Sequence, residues 1–236
     1  MPGHLYAGTS GFAYKEWKPG FYPADLPQKH FLRYYAEHVP SVEINNTFYR
    51  TPTETLLTGW TEQSPPEFRF TLKAPQRITH YRRLREVDED LGYFLTAARA
   101  LGERLGAILF QCPPTLRYDE QLLKDFLAVL PGEPFRFAME FRHSSWDTGE
   151  ARAHLHANNV AWCVAETGDD LPYVQTAQGF AYLRLRRDGY TQADVERWAR
   201  AVGPALDAGS DVYAYFKHED STEGVRAAQR LIELVS

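Results

Sequence analysis

Apolar positions along the chain follow two rhythms. Short runs rich in aromatic and branched residues recur at about residues 4–8, 41–45, 68–73, 107–111, 135–141, 160–166, 180–186 and 212–217, and these read as eight strands. Between most of them the period lengthens. Leu91, Phe94, Leu95, Ala98, Leu101 and Leu105 stand three and four apart, on one face of a helix. Comparable stripes occupy 31–37, 54–62, 122–130, 193–206 and 225–234. Between 167 and 179, Pro172 and Gly179 interrupt the chain and no apolar period survives, so that crossover is expected to lack a helix. Strands alternating with helices over this length predict an α/β fold: a single (β/α)8 TIM-type barrel spanning 1–236 as one domain, with one crossover helix short or missing. No linker, repeat or low-complexity segment divides it.

Because alternate strand residues face opposite sides, each run separates into two rows. Phe135, Phe137, Met139 and Phe141 share the face expected to meet helices, while Arg136, Ala138, Glu140 and Arg142 share the other. By the same rule Glu43 and Asn45, then Arg69, Thr71 and Lys73, then Leu109 and Gln111, point inward. So do Tyr182, Arg184 and Arg186, and Tyr213, Tyr215 and Lys217; in the sixth run Glu166 closes an inward row with Trp162 and Val164. These rows turn polar at the C-terminal end of each strand. The rim reads Gly8, Glu43, Lys73, Gln111, Glu140, Glu166, Arg184 and Lys217. Charges inside a packed barrel need partners or a ligand, and barrel enzymes carry their catalytic groups at that end.

Composition narrows the classes. Hydrophobic residues at 44% and charged residues at 24% match an ordinary globular protein and exclude disordered and fibrous chains. With 26 basic and 31 acidic residues the net charge is −5, which argues against a general nucleic-acid or membrane coat and leaves a local basic patch open. Cys112 and Cys163 both lie in apolar stretches, so no disulfide framework is expected and a reducing, cytoplasmic location is. No apolar run approaches the roughly 20 residues of a membrane span, and the chain enters a strand at once without a signal peptide, so no membrane partner is expected.

Glu43 and Glu140 are the acid–base candidates, since paired carboxylates in a partly dry site can divide the two roles; the structural alternative is a salt-bridge network fixing the top layer. Retaining barrel glycosidases typically carry carboxylates after the fourth and seventh strands, by analogy, and Gln111 and Arg184 stand there instead. A metal set drawn from Glu140, His143, Glu166, His218 and Glu219 lacks any recognised ligand spacing, so no metal is expected. A Schiff-base lysine at Lys73 or Lys217 would need a lowered pKa, which three nearby acids are expected to oppose.

The bases gather at one rim: Lys73, Arg77, His80, Arg82, Arg83 and Arg85 after the third strand, and Arg142, His143, Arg184, Arg186, Arg187, Lys217 and His218 after later ones. Arginine forks at a barrel mouth suit phosphate or carboxylate. For Arg82 to Arg85 the plainer reading is pairing with Glu86, Asp88, Glu89 and Asp90. Aromatics such as Tyr49, Tyr81 and Trp146 fall in loops at the same end, where they either stack rings or close the barrel top, as the Trp17 to Tyr22 group is expected to do. There is no P-loop or dinucleotide fingerprint, so no cofactor is implied, and Ser10 has no nucleophile setting.

The motifs Gly8-Thr9-Ser10-Gly11-Phe12, Phe21-Tyr22-Pro23, Val42-Glu43-Ile44-Asn45-Asn46-Thr47-Phe48-Tyr49, Lys73-Ala74-Pro75, Ile78-Thr79-His80, Phe110-Gln111-Cys112-Pro113-Pro114 and Glu140-Phe141-Arg142-His143 together resemble domain-of-unknown-function family 72, the YecE-like proteins. The resemblance runs from about Tyr6 to the last helix and implies a TIM-type barrel without an established reaction. The chain departs from the family pattern at Phe12, where Trp is usual, at Cys112, where Leu is usual, and at Arg186, near where a His commonly follows the seventh strand.

The reading is an enzyme that binds a small anionic substrate, bearing phosphate or carboxylate, at the C-terminal rim. Glu43 and Glu140 move protons, and Lys73, His80, Gln111, Arg142, Arg184, Lys217, Tyr49 and Asn45 hold the substrate, without metal or cofactor. The alternative is a nucleic-acid-binding or phosphodiester-processing barrel; the third reading is a non-catalytic scaffold.

Overall fold

The computed structural model describes residues 1–132, 134–166, 174, 176–177, 179–217 and 221–235. Its strands are β1 (Leu5–Thr9), β2 (Ser41–Ile44), β3 (Arg69–Lys73), β4 (Leu105–Gln111), β5 (Phe137–Glu140), β6 (Val160–Ala165), β7 (Thr176–Ala177), β8 (Phe180–Leu185) and β9 (Asp211–Phe216). All but β7 run parallel in a ring, which closes where β1 pairs with β9 and β6 pairs with β8. Two-residue β7 lies antiparallel against β8. Around the ring stand α1 (Phe31–Ala36), α2 (Glu54–Thr61), α3 (Asp88–Ala98), α4 (Glu120–Ala128), α5 (Gly149–Ala157), α6 (Gln192–Asp207) and α7 (Glu223–Val235). The β6-to-β8 crossover expected to lack a helix, Pro172 included, lies almost wholly outside the described residues.

Helix starts follow from local chemistry. Thr53, Asp119, Thr148 and Thr191 each accept a hydrogen bond from a backbone N–H of the first turn, and Thr191 with Asp194 completes a capping box. The stripe from Leu91 to Leu105 is not one helix. α3 stops at Ala98, a 3-10 segment with Gly102 at φ 53° follows, and β4 already begins at Leu105. Helix α5 had no visible stripe, because its buried face is reduced to Ala151 and Leu155.

The parity rule holds on most strands. Val42, Phe70, Ile108, Phe110, Phe137, Met139 and Leu183 form the layer between ring and helices, while Leu109, Ala138, Tyr182, Tyr213 and Tyr215 fill the interior. It fails on β6, where Ala161 and Cys163 face inward and Trp162 and Val164 belong to the outer layer. The interior tyrosines leave room there only for small side chains. Trp162 instead packs beside Phe141 and beneath Arg152 of α5. Glu166, of the same parity, accepts hydrogen bonds from Tyr190 and from Trp198 of α6. No described helix is long and apolar enough to cross a membrane.

Candidate active site

Assembly begins where β1 meets β2. A side chain at Gly8 would come within 1.8 Å of the Ser41 carbonyl oxygen, so glycine is required for the close approach. The Tyr35 hydroxyl ties the pair together, accepting from Thr9 N at 2.9 Å and donating to Ser41 O at 3.0 Å. Gly11, at φ 110°, then turns the chain so that Ser10 points back over β2. Ser10 Oγ donates to Glu43 Oε1 at 2.8 Å and accepts from Arg186 Nη1 at 2.9 Å.

Beneath this turn lies a continuous polar layer. Glu43, fully buried, also accepts from Tyr182 Oη at 2.7 Å, from Arg184 Nε at 3.0 Å and from Arg184 Nη2 at 2.9 Å. Arg184 gives its other terminal nitrogen to Glu140 Oε2 at 2.6 Å. Gln111 Nε2 donates to both oxygens of Glu140, at 2.8 and 3.0 Å, and Gln111 Oε1 accepts from Lys73 Nζ at 2.8 Å. That ammonium lies 4.1 Å from the centre of the Phe48 ring. Four barrel strands, β2, β3, β4 and β5, and the end of β8 thus contribute to one network.

The electrostatics separate the two carboxylates and the lysine. Burial alone would raise the Glu43 pKa, but Arg184 first and Arg186 next, with hydrogen bonds from Arg184 and Tyr182, bring it down to about 2. Glu43 thus accepts four hydrogen bonds and has no exposure, a setting that favours a carboxylate held ionised against Arg184 over one that exchanges protons. Lys73 also departs from expectation. Burial first, then Arg184, lowers its pKa to about 8 against the opposing pull of Glu43 and Glu140. The acids do not prevail, because burial and Arg184 outweigh them and, among the described residues, no carboxylate lies within ion-pair distance of Nζ.

Above the layer opens a cavity of about 800 Å³, lined among others by Asn45, Tyr49, Lys73, Arg142 and Arg186. Asn45 Oδ1 is buried with no hydrogen-bond partner, which leaves an acceptor unmet at the cavity wall. Of the expected site residues, Glu140, Lys73, Gln111, Arg184, Asn45, Tyr49 and Arg142 come together here. His80 does not line the cavity; it packs edge-on against Phe48 and bonds Thr79, and burial followed by Lys73 lowers its pKa. Lys217 lies apart as well, with Nζ 2.8 Å from Asp188 Oδ1. Arg184 lines the cavity but is 2% exposed and engaged by two carboxylates.

Among the weighed metal ligands, His143 hydrogen-bonds Ser145, Glu140 and Glu166 are engaged as described, and His218 and Glu219 lie outside the described residues. The plainer reading of the basic run holds in part: Arg77 and Arg82 approach Asp90 and Arg82 also approaches Glu86, whereas Arg85 reaches Asp119 and Arg83 donates to Thr115. Sequence reasoning passed over Ser10, Tyr182 and Arg186 as site residues. The signal for two of them was present, since Tyr182, Arg184 and Arg186 are spaced by two on one strand row.

Comparison with known proteins adds relatives of the same kind. The chain is 39% identical over 113 residues to UPF0759 protein YecE of Escherichia coli K12, a match spanning 48% of this chain and only 41% of that relative. It is 25% identical to UPF0759 protein YunF of Bacillus subtilis 168 across 98% of this chain and 94% of the relative. Among solved structures, a DUF72 family protein of Thermotoga maritima superposes with a TM-score of 0.79 at 24% identity, covering 98% of this chain and 99% of that one. One from Enterococcus faecalis gives 0.78 at 17%, covering 98% and 95%. At these identities the two structures show the shared barrel. The family match extends from residue 6 to residue 236, and the chain therefore belongs to DUF72, described as a protein of unknown function.

Proposed function

We propose that this protein is an enzyme whose barrel mouth binds a small phosphate- or carboxylate-bearing substrate, with Lys73 exchanging a proton beside it. One observation carries this reading. Lys73, Arg142 and Arg186 bring three positive charges to one cavity, and none has a carboxylate within ion-pair distance among the described residues. Lys73 is buried and Arg186 half-buried, and such cations without counter-ions are costly unless an anion completes them, while Arg142 stands exposed at the same mouth. Arg142 and Arg186 supply the forks that grip the anion. A lysine pKa of about 8 lies close enough to neutrality for general acid–base work, and Glu140 is linked to it through Gln111. Glu43 and Arg184 form the rigid floor.

The nucleic-acid alternative has less support. Arg77, Arg82 and Arg85, which would track successive phosphates, are held by acids, and Trp146 is fully buried against Phe141 rather than free to stack a base. Two buried free thiols, Cys112 and Cys163, fit a cytoplasmic setting.

The test is thermal unfolding against a panel of small phosphates and carboxylates, with wild type beside an Arg142→Ala/Arg186→Ala double variant. Anionic compounds should raise the wild-type melting temperature and leave the variant's unmoved. Equal shifts in both proteins would place binding elsewhere and overturn the reading.

A further inference from the structure

Lys73 differs from every other lysine in the chain. Lys15, Lys18, Lys29, Lys124 and Lys217 are exposed or half-exposed, whereas Lys73 is 9% exposed and sits at the end of β3 on the cavity wall. Its direct partners are neutral: an amide oxygen at 2.8 Å and the face of an aromatic ring at 4.1 Å. The Gln111 oxygen takes one N–H, and Phe48 shields one side from water. The same cavity holds Arg142 and Arg186, which present donors without an acidic partner among the described residues.

We infer that Lys73 is the amine nucleophile of this site and that its substrate is a carbonyl compound carrying an anionic group, joined to Nζ as an imine. This rests on the anion-binding reading above, since Arg142 and Arg186 orient the carbonyl by gripping the anionic group. The neutral amine adds to the carbonyl carbon: a C–N bond forms and the C=O π electrons move to oxygen. A proton passes from nitrogen to that oxygen, the hydroxyl departs as water with the second nitrogen proton, and a C=N bond remains. One water is released, and no oxidant or reductant enters. The charged groups facing Nζ explain why the amine is available near neutral pH. Glu43 on β2 and Glu140 on β5 oppose deprotonation, Arg184 and Arg186 at the end of β8 favour it, and His80 stands behind Phe48. With burial, the balance favours the free amine.

The experiment is reductive trapping on the intact wild-type chain. Pyruvate and sodium cyanoborohydride are added, the lysine carrying the label is mapped by peptide mass spectrometry, and phosphate binding is measured in parallel by calorimetry. Label should concentrate on Lys73 over the five other lysines, increase as pH rises through about 8, and fall when inorganic phosphate competes. Acetone, which lacks the anionic group, should label Lys73 roughly tenfold or more slowly, the worth of one charge-assisted contact. Label on the exposed lysines with Lys73 spared overturns the imine assignment; if phosphate still binds, the anion-binding reading survives it. Equal labelling of Lys73 by acetone and pyruvate overturns the anionic substrate class instead. A Lys73→Arg variant should drop to the labelling of the exposed lysines alone, and unchanged uptake by it counts against the proposal.

Discussion

Glu43 and Lys73 lie in the same polar layer, yet the floor around them pushes their protonation in ways that stability can report. Replacing Glu43 by Gln leaves the buried Arg184 with only Glu140 as counter-ion, and breaking a buried pair in this way costs about 3–5 kcal/mol. Glu43→Gln should therefore lower the urea midpoint more than Glu140→Gln, whose carboxylate receives only Arg184 Nη1 and Gln111. A Glu43→Gln protein as stable as wild type would remove the structural assignment. The pH dependence carries opposite signs for the two groups. Glu43 has a folded pKa of about 2 against an ordinary 4.5, so its stabilisation is complete above about 4.5 and is lost as pH falls toward 2. Lys73 has a folded pKa of about 8 against 10.5, so between those values the unfolded chain binds more protons and stability rises with pH. Compared with Lys73→Met, wild type should gain stability from pH 8 to pH 10.5 in urea titrations. A constant difference between the two proteins across that window would contradict the lowered pKa.

Elements differ in how openly their sequences declare them. α6 announces itself through Thr191, Asp194 and the stripe of Val195, Trp198, Val202 and Leu206. α5 does not, because two buried residues make no period; its signals are the cap at Thr148 and the stop at Asn159, whose φ of 60° lies in the left-handed region. Asn tolerates that conformation and a branched side chain does not. Asn159→Val should cost about 1–2 kcal/mol, while Asn159→Gly should leave the melting temperature close to wild type. Equal effects of the two changes would show that contacts rather than backbone conformation set the stop. β6 departs from its expected parity for a different reason. Spacing alone puts Trp162 inside with Glu166, but which face of a buried strand is inward depends on the volume its neighbours leave, and Tyr182 and Tyr213 leave little.

For the whole molecule, the net charge of −5 and the pairing of Arg77, Arg82 and Arg85 with acids leave a concentrated positive site rather than a stripe. Binding of a single-stranded oligonucleotide should consequently show a log–log salt slope no steeper than about −0.7, the value for one phosphate contact on a single strand. A slope several times steeper would favour the nucleic-acid alternative. The ring of strands, the polar inward rows and most of the cavity's residues were legible in the order of residues, because periods of two and near 3.6 are properties of the local chain. The pairings were not. Glu43 and Arg184 are 141 positions apart, and only closure of the barrel brings Arg184 between Glu43 and Glu140, saturates Glu43 and leaves Lys73 with no acid at ion-pair distance among the described residues. Lys217 shows the converse: its parity is right, but one residue beyond β9 its chain reaches Asp188 instead of the cavity. Sequence alone determines which side chains a strand can offer to an interior, whereas distance and burial, on which electrostatic interactions depend steeply, exist only once the tertiary structure has closed.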